Sequence, residues 1–495
     1  MRIDTMSPGN WSGPLKTHTG DRRDLPTFEF CLSMKLAHVG SPTHWYDCPH
    51  NANKKNPLNR SPEPVAPQII PRAAHTVSRQ EISDSALKVL YRLHKAGYQA
   101  FLVGGCVRDA LVGLHPKDFD VATNATPEEV RALFNNCRLI GRRFRLAHVR
   151  FGREIIEVAT FRASATQEHD DAHQDEEGRI IRDNVYGSID EDVWRRDFTC
   201  NALYYNIADF SIWDYTGGVG DIRSRRIRLI GEADQRLRED PVRMLRAIRF
   251  AAKLDFEIAD DVVESIHANA GLLANVPAAR LFDEFLKLFQ AGYAEKTFLL
   301  LREHGLFAQM FPATEAEILE DDTFLAFIMA ALRNTDRRVA SGKSVTPMFL
   351  LGVFLWAPTR RLAADLRSRE KMSESQSLSL ASYELCAEQQ RRIAIPRRFT
   401  VPMREMLSLQ PRFTVTRGKR AMSFLEHRRF RAAYDFMVLL TEVGQFDEQL
   451  MGFWTDVQCR SREDRAESFQ LNNKPRSTGG RRRRRRRRRP KSDSQ

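Results

Sequence analysis

The chain has 495 residues, of which 42% are hydrophobic and 28% charged, and its net charge is +13. That is enough apolar material for a sizeable core in about two to four domains. Seven scattered cysteines without a C-x-x-C pair argue against a disulfide framework or a zinc module, and no apolar run reaches the length of a membrane span.

Residues 1–75 are rich in Pro, Asn, His and Ser and lack sustained periodicity, so they are expected to be mostly disordered, with Met34 as an alternative start. They contain no signal-peptide core, and the expected location is the cytoplasm. SDSALKVLYRLHKAG (83–97) predicts an amphipathic helix with Leu87, Leu90 and Tyr91 on its apolar face and Gly97 closing it. YQAFLV (98–103) predicts the first strand. It runs into Gly104-Gly105 and then Arg108-Asp109, and nine residues later Asp118 and Asp120 flank Phe119.

In a strand, side chains at i and i+2 project from one face, so Asp118 and Asp120 are expected side by side with Phe119 turned into the core. Each carboxylate raises the cost of ionising the other, and a divalent cation such as Mg²⁺, which takes carboxylates together with substrate phosphates, removes that cost. The glycines let the backbone approach a phosphate. A lone D-x-D is most often a solvated turn, and Gly-Gly after a strand is most often only a turn. All of these within twenty residues point instead to chemistry on a nucleoside triphosphate.

GGCVRD (104–109) followed by DFD (118–120) resembles the class II nucleotidyltransferases, the family of bacterial poly(A) polymerases and tRNA CCA-adding enzymes. The resemblance extends over roughly residues 75–460. It implies that Asp118 and Asp120 are catalytic and hold Mg²⁺ or Mn²⁺. It also implies that Gly104, Gly105, Arg108 and Asp109 position the triphosphate of ATP. Cys106 stands where relatives frequently carry a third glycine.

Further along, Thr126-Pro127-Glu128-Glu129 predicts a capping box with proline at the first helical position, and Val130, Leu133 and Phe134 supply that helix's buried face. Two strand-like segments follow at 137–152 and 153–162. The second alternates, with Ile155, Glu157 and Ala159 on one side and Ile156, Val158 and Thr160 on the other. Burying Glu157 without a partner would be costly. It is either salt-bridged or faces the aspartates, and the family's third acidic residue favours the second. Residues 164–180 carry His169, Asp170, Asp171 and His173, which imitate a metal cluster, but without an apolar framework a mobile loop is expected.

VWRRDFTCNALYYN (193–206) resembles the family's RRDFT-x-NAL motif, which implies that Arg195, Arg196, Asp197 and Asn201 line the nucleotide. A guanidinium offers a fork of donors to phosphate oxygens. The glycine-rich text at 213–231 is expected to be a hairpin and turn. REDPVRMLRAIRFAAKL (238–254) opens the helical part, with Asp240-Pro241 as N-cap and first helical residue. Arg243, Arg246 and Arg249 form a basic stripe, ordinarily a solvated face. The segment resembles the family's E-D-x-x-R element, however, which implies that Asp240 and Arg243, with Arg246 one turn on, serve the incoming nucleotide.

From 255 to about 456 the text is helical, and 275–292 and 419–440 each read as one helix. Lys419, Arg420, Arg428, Arg429 and Arg431 are candidate contacts to RNA phosphates. The run Arg481–Arg489 holds nine of the positive charges, and without it the net charge falls from +13 to +4. It is expected to be a disordered arm that binds RNA through a salt-dependent, sequence-independent attraction.

The expected fold class is α+β: a nucleotidyltransferase head with a small mixed sheet and flanking helices, then an all-helical neck and body between disordered termini. The expected boundaries are 1–75 for the extension, 76–231 for the head, 232–292 for the neck, 293–460 for the body and 461–495 for the tail. GRRFRLAHVRFG (141–152) and the arginine tail resemble the poly(A) polymerase branch. The implied activity is addition of AMP from ATP to RNA 3′ ends, marking RNA for decay, with RNA-decay proteins as candidate partners. A tRNA CCA-adding enzyme and a catalytically idle RNA-binding protein are the alternatives, and the presence of all three carboxylates weighs against the second.

Overall fold

The computed structural model describes residues 66–141, 145–163 and 185–470. The expectations for residues 1–65, for His169, Asp170, Asp171 and His173, and for Arg481–Arg489 lie outside these. Among the described residues Cys106, Cys137, Cys200, Cys386 and Cys459 are free thiols. No helix among the described residues is long and apolar enough to cross a membrane.

The first part is built on an eight-stranded mixed sheet. In chain order it comprises β1 (Gln68–Ile70), α1 (Asp84–Lys95), β2 (Ala100–Val103), α2 (Gly105–Leu111), β3 (Asp120–Thr123) and α3 (Pro127–Leu133). Then come β4 (Cys137–Ile140), β5 (Leu146–Phe151), β6 (Glu154–Thr160), α4 (Ile189–Arg195), β7 (Leu203–Asn206) and β8 (Ile212–Asp214). The strand order across the sheet is β1-β8-β7-β2-β3-β6-β5-β4, and only β3 with β6 runs parallel. β1 pairs with β8, so Gln68–Ile70, inside the stretch expected to be disordered, belongs to the sheet.

Local chemistry explains the element starts. Ser83 caps α1 by accepting from the Ala86 N–H. The Thr126–Glu129 capping box forms as predicted, with Pro127 opening α3. The buried face of α1 is Ala86, Val89, Leu90 and Leu93, whereas Leu87 and Tyr91 are only partly covered. The alternation in β6 holds: Ile156, Val158 and Thr160 are buried, while Ile155 and Glu157 face outward. Glu157 therefore does not bear the burial cost expected of it.

Residues 213–231 are not a hairpin. They contain the end of β8, a short helix α5 (Gly218–Arg223) and β9 (Arg226–Ile227). Asp214 starts that helix, its carboxylate accepting from the N–H groups of Thr216, Gly218 and Val219 at 2.9–3.1 Å. The glycine serves close approach, since a Cβ on Gly218 would sit 2.2 Å from the Thr199 carbonyl oxygen.

Helices α6 (Ala233–Glu239), α7 (Val242–Leu254), α8 (Asp260–Asn269) and α9 (Ala278–Phe289) lead into a wholly helical second part, with a two-residue strand β10 (Glu257–Ile258) beside β9. Residues 419–440 form two helices, Gly418–Phe424 and Phe430–Glu442, rather than one. In a continuous helix Phe424 and Phe430, six residues apart, would point to different faces. The break lets both rings pack on buried Trp454, at 5.5 and 5.8 Å between centroids.

Candidate active site

The sheet register assembles the acidic centre. Asp120 lies directly across from Val103 on β2 and from Glu157 on β6. Val103 leads into Gly104, so Asp120 stands at the strand end next to the glycine turn. Phe119 is buried between two outward-facing aspartates, as its spacing predicts. Only Asp120 belongs to a strand, however, and Asp118 sits in the preceding loop.

Gly104 adopts φ 79 and ψ −131, a conformation that side-chain-bearing residues rarely reach, and α2 starts immediately after it. A Cβ here would lie 3.8 Å from the Asn201 carbonyl oxygen and 3.9 Å from Nη1 of Arg196. The turn, the Asn201 backbone and that guanidinium are thus neighbours. Cys106 is buried in α2, its thiol turned back on the Val103 carbonyl at 3.4 Å.

Electrostatics mark Asp120. Loss of hydration among the strand ends pushes its carboxyl up to about 6; Glu157 and then Asp118 push the same way, and Arg196 opposes them. A pKa raised above the ordinary 3.8 means that ionising Asp120 costs the fold nothing below that pH and its full penalty above about 6. A bound cation would cancel that penalty, so crowded carboxylates of this kind fit a divalent ion. No three His, Cys, Asp or Glu side chains among the described residues close into a ready-made metal cage. His148 of β5 stands 3.4 Å from Glu157, a neighbour the sequence pattern did not flag.

Glu157→Gln is expected to bring the Asp120 pKa down from about 6 towards the ordinary carboxylate range. NMR titration of the labelled Asp120 carboxyl in the metal-free protein checks this. An unchanged midpoint would show that Glu157 is not part of the acidic cluster.

The RRDFT-x-NAL residues occupy the end of α4 and the turn into β7. Arg196 donates from Nε to the Tyr204 hydroxyl at 2.7 Å and from Nη2 to Asp192 at 2.9 Å. Its third nitrogen is the one directed to the glycine turn. Asp197 is buried: Oδ1 accepts from Asn201 Nδ2 at 3.3 Å, and Oδ2 lies 2.6 Å from Nη2 of Arg246. Arg195 donates to the Ala163 carbonyl.

Arg108 and Asp109 lie on α2, not in a surface turn, and both are buried. Arg108 donates to Asp109 at 2.6 and 2.9 Å and to the Asn201 side-chain oxygen, and it lies 4.9 Å from the Phe250 ring centroid. The other oxygen of Asp109 accepts a third bond, from Lys253 at 2.7 Å. Arg246, Phe250 and Lys253 recur at i, i+4 and i+7, one face of α7. That face meets Asp197, Arg108 and Asp109 in turn, which ties the sheet domain to the first long helix after it. Lys253 escaped the sequence reading because its partner is 144 residues away; Asp192 lies four residues before Arg196, but its bonds to the Tyr204 hydroxyl and the Arg162 N–H, 12 and 30 residues away, are not encoded locally.

Asp240 accepts from the Val242 N–H at 3.2 Å and, with its other oxygen, from Arg280 of α9 at 2.6 Å; it closes α6, and Pro241 rather than Asp240 is the cap of α7, one position later than expected. Arg243 is not on a solvated face; it donates to the Arg236 carbonyl at 2.6 Å and to Glu239 at 3.1 Å. Arg236, also unflagged, donates to the Arg196 carbonyl at 2.6 Å. Arg428 and Arg429 are both engaged by Glu405, and Arg431 by Asp435.

Comparison with known proteins gives a consistent set of matches. Residues 100–228 match the family described as "Poly A polymerase head domain". Residues 255–318 match "Probable RNA and SrmB- binding site of polymerase A", and 370–490 match "Polymerase A arginine-rich C-terminus". Poly(A) polymerase I of Escherichia coli O6:H1 is 48% identical over 403 residues, spanning 80% of this chain and 87% of that protein. Poly(A) polymerase I of Haemophilus influenzae is 44% identical over 418 residues, 82% of this chain and 92% of that protein. The CCA-adding enzyme of Bacillus pumilus is 36% identical, but over only 50% of this chain and 60% of its own length.

Proposed function

The chain belongs to the poly(A) polymerase family, and from that membership we propose how it works as a polynucleotide adenylyltransferase that adds AMP from ATP to RNA 3′ ends. The observation that carries the site assignment is the register of Asp120 against Val103 and Glu157 beside the glycine turn. In this reading Asp118 and Asp120 hold divalent ions, Mg²⁺ or Mn²⁺, and Glu157 assists. Those ions, when bound, acidify the attacking hydroxyl and steady the leaving oxygen.

The protein's share is positioning and charge. The RNA 3′-oxygen forms a bond to the α-phosphorus, the hydroxyl proton goes to solvent, and the bond to pyrophosphate breaks. Gly104 and Gly105 admit the triphosphate to the backbone, and Arg196 offers it the nitrogen left over from Tyr204 and Asp192. Arg108 and Asp109 serve the same pocket by fixing Asn201, which with Asp197 orients the sugar. Asp240, Arg243 and Arg246 serve the incoming base, on a helix start stiffened by Arg280. Holding reactants and stabilising charge is the whole of what phosphoryl chemistry asks of a protein.

RNA is the polymeric substrate. Lys419 and Arg420 contribute phosphate contacts, as do Arg428, Arg429 and Arg431 where their carboxylate partners yield, and the Arg481–Arg489 arm adds sequence-independent attraction. The division into head, neck, body and tail near residues 231, 292 and 460 belongs to the same proposal. So do a cytoplasmic location, the marking of RNA for decay, and decay proteins as further partners. Incubation of the protein with each labelled nucleoside triphosphate, Mg²⁺ and a generic RNA tests the reading: long products from ATP alone are expected. Efficient CTP addition to a tRNA lacking its terminus would favour the CCA-adding alternative.

A further inference from the structure

The basic side chains of the helical part divide by partner. Arg428, Arg429 and Arg431 are matched to carboxylates. The hairpin of helices Glu374–Arg392 and Arg397–Ser408 differs: its Arg397 and Arg404 have no carboxylate partner among the described residues. In the middle of that hairpin Tyr383 is 57% exposed, more than any other aromatic side chain among the described residues. The Arg404 guanidinium carbon lies 5.0 Å from its ring centroid. The two line an open depression of about 480 Å³ together with Met372, Gln376, Ser379 and Leu380, and none of the six carries a negative charge.

An exposed aromatic face beside a cation, in a hollow without acids, has the chemistry of a stacking site for a base whose strand is a polyanion. Arg397 returns to the same face of its helix seven residues before Arg404, about 10 Å away, within reach of a neighbouring phosphate. The hairpin also falls inside the segment that matches the arginine-rich family description. We propose that the Tyr383–Arg404 face is a stacking platform for a single-stranded part of the RNA substrate upstream of its 3′ end. The platform rests on the adenylyltransferase reading for the identity of its ligand and adds to that reading a second, non-catalytic grip on bases.

The test is equilibrium binding by fluorescence anisotropy of the full-length chain to an oligoadenylate and to an abasic strand of equal length. Tyr383→Ala is expected to weaken the oligoadenylate about tenfold, in line with the stacking value of one base, and the abasic strand hardly at all. Tyr383→Phe keeps the affinity. Free ATP that competes for this face as well as the oligoadenylate does would reassign it to mononucleotide and overturn the proposal. Equal losses on both strands, or none, also overturn it, as does a light-scattering result in which the variant loses self-association with RNA affinity intact. Incorporation of AMP by the wild-type chain is measured separately, so a dead enzyme and an absent platform are distinguishable.

Discussion

Asp120→Asn is expected to cut AMP incorporation about a thousandfold while RNA affinity stays unchanged. Stabilisation of transition-state charge by a bound metal is worth several kcal/mol, and each 1.36 kcal/mol is a factor of ten in rate. Asparagine keeps the size of the side chain but removes the negative charge on which the ion depends. It also removes the group that burial, Glu157 and Asp118 all push towards protonation, so the variant should fold at least as well as the wild type at neutral pH. Steady-state incorporation, RNA anisotropy and urea unfolding together check it. A variant that still extends RNA at near wild-type rate would end the metal assignment.

Asp109→Ala is the second large expected effect, and it falls on stability. Asp109 is the shared acceptor between buried Arg108 and Lys253, with distances of 2.6 and 2.7 Å. Removing it leaves a guanidinium that is 4% exposed with no carboxylate and only the Asn201 side-chain oxygen, and breaking a buried pair in this way costs about 3–5 kcal/mol. Lys253→Ala removes a partner that is 31% exposed and should cost about 1 kcal/mol or less. The urea midpoint followed by circular dichroism separates the two. If Asp109→Ala unfolds like the wild type but raises KM for ATP, the carboxylate touches nucleotide directly and is not a tie between the sheet and α7.

What could be read before any coordinates was what neighbouring residues decide. The capping box at Thr126, the alternation of β6 and the burial of Phe119 between two aspartates all follow from patterns a few residues long. Asp214 illustrates the limit. A glycine-rich run reads as a turn, yet here one carboxylate satisfies three backbone N–H groups and starts a helix, and Gly218 is required by contact with Thr199, a distant residue. The surroundings of the stripe Arg243, Arg246 and Arg249 meet the same limit. Its periodicity is legible, but whether it meets water or Asp197 and Arg236 depends on how the chain packs. The acidic centre stood out because its unusual residues lie close together in sequence, and the family resemblance supplied Glu157.

The pairing of β1 with β8 has a bearing on how the protein is made. Gln68–Ile70 leaves the ribosome about 140 residues ahead of Ile212–Asp214, which at the usual 5–20 residues per second is roughly 7–30 seconds. During that wait β2, β3 and β6 can already pair, whereas the margin of the sheet has nothing to hold. Nascent chains are therefore expected to carry a preformed catalytic edge and a loose first strand. That interval is when a chaperone, or a stray strand from another chain, can reach it.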